Sequence, residues 1–391
     1  MSNMSTFQEG YSGLTEGRES LPSSWYRDAD HYQRELRAIW YRQWMYVDRV
    51  DSLPDPGDYR IVQIGDQSII VLRGNDRVFR AFHNTCRHRG AELLSEPRGN
   101  LAGNIACPYH GWSYDHCGDL LRAPSNFRQT DFEEKALGLY PVAIEVLRGF
   151  LFINLRPDAQ PLTEGMDCGG QALANWPLEG LSVGHEYREE IACNWKLFWE
   201  NFSECLHCPG IHPELSDLVP LYKRRMMEVH DDPLWQQHQA EENPRFRPGL
   251  REGSATWSAD GQPCDTPFTG LSPEDLARGH TYEVSWPTAF MVGHVDYVRI
   301  VWLRPLSPVK TELCAQWLFR PETLDNAQFN PAEFAHYAEM VLGQDARAAE
   351  MNQRGLSSIA HQTGRLMAEE YEVHAFQEWV RAQLAQAEES L

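Results

Sequence analysis

Residues 194–215 read NWKLFWENFSECLHCPGIHPEL. Trp195, Phe198, Trp199, Phe202 and Leu206 recur at three- and four-residue spacing, which predicts a helix. On that helix Glu204 and His207, three apart, share a face. Pro209 drives the residue before it out of the α region, and Gly210 loosens the chain further. His212 then approaches from a new direction, so two imidazoles converge beside an acid. That arrangement suits an iron ion with open coordination positions, held by His207 and His212. A zinc set of Cys205, His207, Cys208 and His212 competes with it. Against zinc, Cys205 and His207 point apart on a helix, and no second Cys pair at finger spacing completes a tetrahedron.

Upstream stands Cys86-Arg87-His88-Arg89-Gly90 and, after 18 residues beyond His88, Cys107-Pro108-Tyr109-His110-Gly111-Trp112. These C-x-H and C-x-x-H loops supply two thiolates and two imidazoles. Two cysteines on one iron and two histidines on the other is the ligand set of a Rieske [2Fe–2S] centre. Neutral imidazoles in place of thiolates remove negative charge from such a cluster and raise its potential. A structural Cys2His2 zinc site is the competing reading, but zinc fingers favour His-x3–5-His. Cys117 reads as a small buried residue, not a ligand.

The 391 residues predict two to three domains, and 42% hydrophobic and 11% aromatic content supplies their cores. A formal net charge of −21 argues against nucleic acid as a partner and is compatible with a basic protein or a cationic substrate. The N-terminus MSNMSTFQEGYSG lacks a basic start and an apolar run, and no segment reaches the roughly 18 apolar residues that span a bilayer. A cytoplasmic, thiol-reduced location without membrane contact is the expectation, where clustered Cys and His favour metals over disulfides.

Residues 1–43 read as a polar arm followed by a helix over 28–43, with Asp28 as its cap. From 44 to 156 the pattern changes to short strands at 59–64, 68–73, 78–83, 104–106, 142–146 and 150–154, separated by PDPGD, GND and RPD. This predicts an all-β domain. Residues 157–391 form the second domain: a Pro- and Gly-rich return, a strand at 187–192, the central helix, and an irregular polar stretch over 213–278. Strands follow at 282–286, 289–292, 297–303 and 312–319, then helix from 331 onward. The irregular stretch reads as a pocket lid or a surface excursion. No G-x-G-x-x-G fingerprint and no plant-type ferredoxin C-x4-C-x2-C run occurs, so NAD(P)H oxidation is assigned to a separate reductase.

CRHRG…CPYHGWSYD followed by NWKLFWENFSECLHCPGIHPEL resembles the α subunit, or terminal oxygenase, of the Rieske non-haem iron oxygenases. The resemblance runs from about residue 24 to 380, with a slightly longer gap between His88 and Cys107 than is usual. It implies an α+β architecture, in which an all-β Rieske domain is joined to an antiparallel sheet covered by helices. It also implies a [2Fe–2S] cluster on Cys86, His88, Cys107 and His110. A mononuclear Fe(II) would sit on His207, His212 and Asp345. Asp345 is assigned because Gln353, Gly355 and Leu356 match the sequence following the family's third ligand; Glu350 is its rival. In the family, rings of three subunits set the cluster of one protomer beside the iron of the next, and an acid connects the two imidazoles. Glu204 occupies that position. Its alternative role is to orient His207 within one chain.

The stretch ENFSECLHCPGIHPELSDLVP resembles the stachydrine, glycine betaine and carnitine oxygenases, which implies monooxygenation and N-demethylation of a quaternary ammonium. Trp286, Phe290, Tyr297, Trp302 and Trp317 are candidates for a cation–π cage, or for ordinary core. Hydroxylation of an aromatic ring or aromatic acid is the alternative, with Arg299 or Arg304 meeting a carboxylate in either case. An electron carrier without oxygenase activity is the alternative of another class.

Overall fold

The computed structural model describes residues 9–127, 129–156, 158–162 and 172–389, with side chains through 387. The chain divides into two compact units, residues 40–169 and residues 1–39 with 170–391. Residues 40–43 and 158–162 therefore go with the first unit, where the sequence reading places them outside it.

The first unit is built on a seven-stranded antiparallel sheet. Its order is Met45–Arg49, Phe150–Asn154, Pro141–Leu147, Phe79–His83, Gln67–Arg73, Asp58–Ile64 and Arg98–Asn100. Ile70, Leu72 and Phe82 alternate toward a core shared with Tyr114, Leu139, Cys86 and Cys107. A second, three-stranded sheet of Ile105–Ala106, Ser113–Tyr114 and Leu120–Arg122 carries the other cysteine loop. Cys117 departs from expectation. It is exposed, because Asp115 Oδ1 accepts from its N–H at 2.9 Å in a tight turn that keeps the side chain outside.

The second unit is organised on a five-stranded antiparallel sheet. Its order is Ser182–Ile191, Lys310–Phe319, Val298–Ser307, Ala289–His294 and His280–Ser285. Direct partners in adjacent strands project from the same face. Tyr282, Val292, Arg299 and Trp317 form one such row.

The central helix Trp195–Phe202 starts where Asn194 Oδ1 accepts from Lys196 N at 3.1 Å. It buries Trp195, Leu197, Phe198 and Trp199. Lys196 is wholly buried as well, paired with Glu35 at 2.5 Å. Glu35 lies on Ala29–Glu35, a helix capped by Asp28 as expected. The helix Pro331–Leu356 packs on the central helix and on the strand Ser182–Ile191. Proline at its first position and Asn330 as cap set its start. Gln353 fixes its far end, accepting from Asn194 N at 2.8 Å and donating to Tyr26 O at 3.1 Å. These bonds hold the helix that carries Asp345 against the start of the central helix. No helix among the described residues is long and apolar enough to cross a membrane.

Candidate metal centres and substrate cavity

The two cysteine loops close in the same way. The carbonyl of Cys86 accepts from Gly90 N at 2.9 Å, and that of Cys107 accepts from Gly111 N at 3.1 Å. Both glycines stand at positive φ, 75° and 71°, where a side chain would be strained. The turns bury both thiols and leave both imidazoles exposed. His88 and His110 lie 4.8 Å apart between ring centroids, and His88 stacks on Trp112 at 5.0 Å. Tyr114 Oη sits 3.3 Å from Cys86 Sγ and accepts from Arg87 N at 3.1 Å. Burial, with Cys107 alongside, raises the Cys86 thiol above its ordinary range. Two unbonded thiols within mutual reach, with two imidazoles edge to face, fit a diiron–disulfur cluster that takes sulfur from inside and nitrogen from the surface.

The second centre departs from the sequence reading in its backbone. The central helix stops at Phe202, and Glu204 and His207 lie in the turn between it and the short helix Cys208–Ile211. They meet because Glu204 Oε2 accepts from the backbone N–H groups of Leu206 and His207. Its Oε1 is then 2.6 Å from His207 Nδ1. The other ring nitrogen, Nε2, faces Asp345 Oδ1 at 3.4 Å, and His212 Nε2 faces the same oxygen at 3.6 Å. The rings are nearly perpendicular, with centroids 4.9 Å apart. Asp345 Oδ1 is buried and makes no hydrogen bond with good geometry to either ring. Three donor atoms therefore point at one place without pairing with each other, as expected of ligands to a cation. Burial works against a charged His207, but the Asp345 and Glu204 carboxylates outweigh it and lift its pKa to about 10. Burial dominates at His212, which is lowered.

The structure thus brings His207, His212 and Asp345 together. Glu350 is elsewhere, accepting from Ala192 N at 2.8 Å. The zinc alternative loses its sulfurs, since a disulfide joins Cys205 to Cys208. That bond also corrects the expectation that clustered cysteines here stay thiols. The two residues sit at either end of one tight turn, close enough to bond to each other.

A cavity opens beside this set. Phe198, Phe202, Tyr222, Trp257, Tyr282 and Phe290 wall it, and Arg299 lines it as well. Phe202 and Phe290 stack at 3.7 Å. Of the five aromatics expected in a cage, only Phe290 lines this cavity. Trp286 packs on Phe376 and Trp379, Trp317 on His185, and Arg188 lies over Trp302. Tyr297 is buried, its hydroxyl donating to Trp257 O at 3.0 Å. Arg304 is paired with Glu312 at 3.3 Å and is not among the cavity walls. Strand parity could have excluded Trp302, which is three residues from Arg299 and so faces the opposite side. Tyr222 and Trp257 come from the irregular stretch and carry no periodic signal.

The ring-hydroxylating α-subunit catalytic domain matches residues 178–386, and the Rieske [2Fe–2S] domain matches residues 43–133. The chain belongs to the Rieske ring-hydroxylating α-subunit family. It is a non-haem iron oxygenase, an oxidoreductase, with a [2Fe–2S] domain. It is 32% identical over 372 residues to the glycine betaine monooxygenase oxygenase subunit of Chromohalobacter salexigens, covering 89% of this chain and 82% of the relative. It is 27% identical over 377 residues to the carnitine monooxygenase oxygenase subunit of Escherichia coli, covering 94% of both. Among solved structures, the quaternary ammonium Rieske monooxygenase CntA with L-carnitine shares the fold at a TM-score of 0.68 and 22% identity, over 93% of this chain and 95% of that one. Naphthalene 1,2-dioxygenase from Rhodococcus sp. shares it at 0.71 and 19%, over 94% of each.

Proposed function

We propose that this oxygenase hydroxylates an N-methyl group of a small betaine-like quaternary ammonium compound and so demethylates it. One observation carries the reading. The cavity beside His207, His212 and Asp345 is walled by six aromatic rings, whose faces attract an alkylated cation that has no N–H to satisfy. Similarity to the glycine betaine and carnitine oxygenase subunits supports it.

In this reading Cys86, Cys107, His88 and His110 hold the cluster, and His207, His212 and Asp345 hold ferrous iron. When bound, these groups supply dioxygen activation and the electrons for it. The chain's own residues prepare the site. Glu204 accepts at His207 Nδ1 and so would leave Nε2, on the side facing Asp345 and His212, to hold the iron. The aromatic walls exclude water and aim a methyl group at the iron side of the cavity. Overall, one oxygen atom enters a C–H bond and the other leaves as water, with two electrons and two protons consumed. The resulting carbinol loses formaldehyde and releases a tertiary amine. A separate reductase would deliver NAD(P)H electrons. A trimer, or a multiple of three, would set Glu204 between the imidazoles of neighbouring centres.

The test is dioxygen-dependent turnover with a generic reductase on a panel of betaines and aromatic acids. Formaldehyde from a betaine, with about three irons per chain, supports the proposal. A ring diol or phenol and no formaldehyde transfers the site to aromatic hydroxylation. A chain with two irons and no product of either kind would be an electron carrier.

A further inference from the structure

The cavity contains one charge that the demethylation reading does not use. Arg299 is 3% exposed, and its Nε and Nη1 have no hydrogen-bond partner. Every other fully buried lysine or arginine among the described residues has a carboxylate within reach. Arg49 has Asp51, Arg60 has Asp48, Lys196 has Glu35 and Arg304 has Glu312. Arg299 has none; its guanidinium lies over Trp257, 5.6 Å from the ring centroid. An isolated buried charge is costly, and a guanidinium cannot escape the cost by losing its proton.

The surroundings do not neutralise it. On the same sheet face His280 is the direct partner of His294. Burial lowers the pKa of both imidazoles, that of His280 to about 4, and Arg299 pushes in the same direction. Both are neutral, and neither ring nitrogen of His294 has a partner. Arg299 is thus a cation without a carboxylate partner in the cavity wall, an arrangement complementary to an anion. The Asp345 set lines the same cavity, and Tyr282 feels the charge of both Arg299 and Asp345.

Resting on the proposed function, we infer that Arg299 binds the carboxylate of the substrate and thereby selects zwitterionic betaines over quaternary alcohols such as choline. The ammonium occupies the aromatic walls and the carboxylate meets the guanidinium. A cation without a carboxylate leaves Arg299 unpaired and is repelled by it, so discrimination has an attractive and a repulsive part.

The test compares wild type, Arg299→Gln and Arg299→Lys in the holoenzyme, using glycine betaine and choline. Equilibrium binding is read from tryptophan fluorescence and turnover from formaldehyde. Removing one partner of a buried charge pair is expected to weaken betaine binding by about a hundredfold. Choline binding tightens in Arg299→Gln, because the like charge has gone, and Arg299→Lys keeps part of the betaine preference. An unaltered cluster spectrum and melting curve confirm that the variants fold. An unchanged betaine-to-choline binding ratio in a folded Arg299→Gln overturns the assignment. If no quaternary ammonium yields formaldehyde, the function proposal fails separately. The anchor is then judged by whether Arg299→Gln abolishes preference for an aromatic acid over its neutral amide.

Discussion

Replacing Glu204 with glutamine separates two roles for this acid. The carboxylate accepts three N–H groups, two from the backbone at Leu206 and His207 and one from His207 Nδ1. Glutamine keeps the shape but has only one acceptor. If its oxygen faces the ring, its NH2 meets the two backbone donors; if it turns over, the NH2 meets the ring N–H. Either orientation leaves a donor unsatisfied, at a cost of about 1–3 kcal/mol. That corresponds to roughly 10- to 100-fold in iron affinity, the usual effect of removing a partner that orients a ligand. Excess ferrous iron overcomes a loss of that size. Glu204→Gln is therefore expected to hold about three irons per chain and an unaltered cluster spectrum when iron is supplied. Product per bound iron should nevertheless fall at least about a hundredfold, because an amide does not connect two imidazole N–H groups. The assay is iron analysis beside formaldehyde yield on the same samples. Normal product formation per bound iron would refute the connecting role and leave Glu204 as an orienting group for His207 alone.

Two further outcomes test the frame around the site. Lys196→Met leaves the buried Glu35 carboxylate with only His31 and Trp195 as partners and should cost about 3 kcal/mol, while Glu35→Gln with Lys196→Met recovers most of it; equal denaturation midpoints for the single and double variants would contradict the pairing. Glu200 is buried, which raises its pKa from 4.5 to about 7 despite hydrogen bonds from Tyr26 at 2.6 Å and Gln377 at 2.9 Å. The folded state therefore binds the extra proton. Stability should fall as pH rises from 4.5 through 7, by an amount on the order of 3 kcal/mol, and the melting temperature of Glu200→Gln should lack that slope.

Much of the architecture was legible because strands announce themselves through alternation and turn residues. Ser68–Arg73 and Phe150–Asn154 match their expected limits within a residue. The cysteine loops were legible because ligand type and spacing determine their chemistry. The end of the central helix was not. Leu206 continues the apolar spacing, yet Ser203 Oγ donates to Trp199 O at 2.8 Å and Glu204 bonds the amides ahead of it, which favours a turn over another helical residue. The cavity walls were the hardest part. Periodicity assigns Phe290 to a face but says nothing of Trp257, which reaches the cavity from an aperiodic segment through long-range packing. Arg299 could be named but not distinguished from Arg304, since only the fold shows which one has an acid for company.

The hairpin joining Val298–Ser307 to Lys310–Phe319 turns over Pro308 and Val309 and pairs Ser307 with Lys310. A single residue inserted there, if taken up by the pairing and not by the turn, would shift one strand by one step and exchange its two faces. Ile300 or Val298 would then stand where the guanidinium stands now. Variation among relatives in the length of this remote loop would accordingly be a change of diet, made by geometry without touching a codon for the pocket.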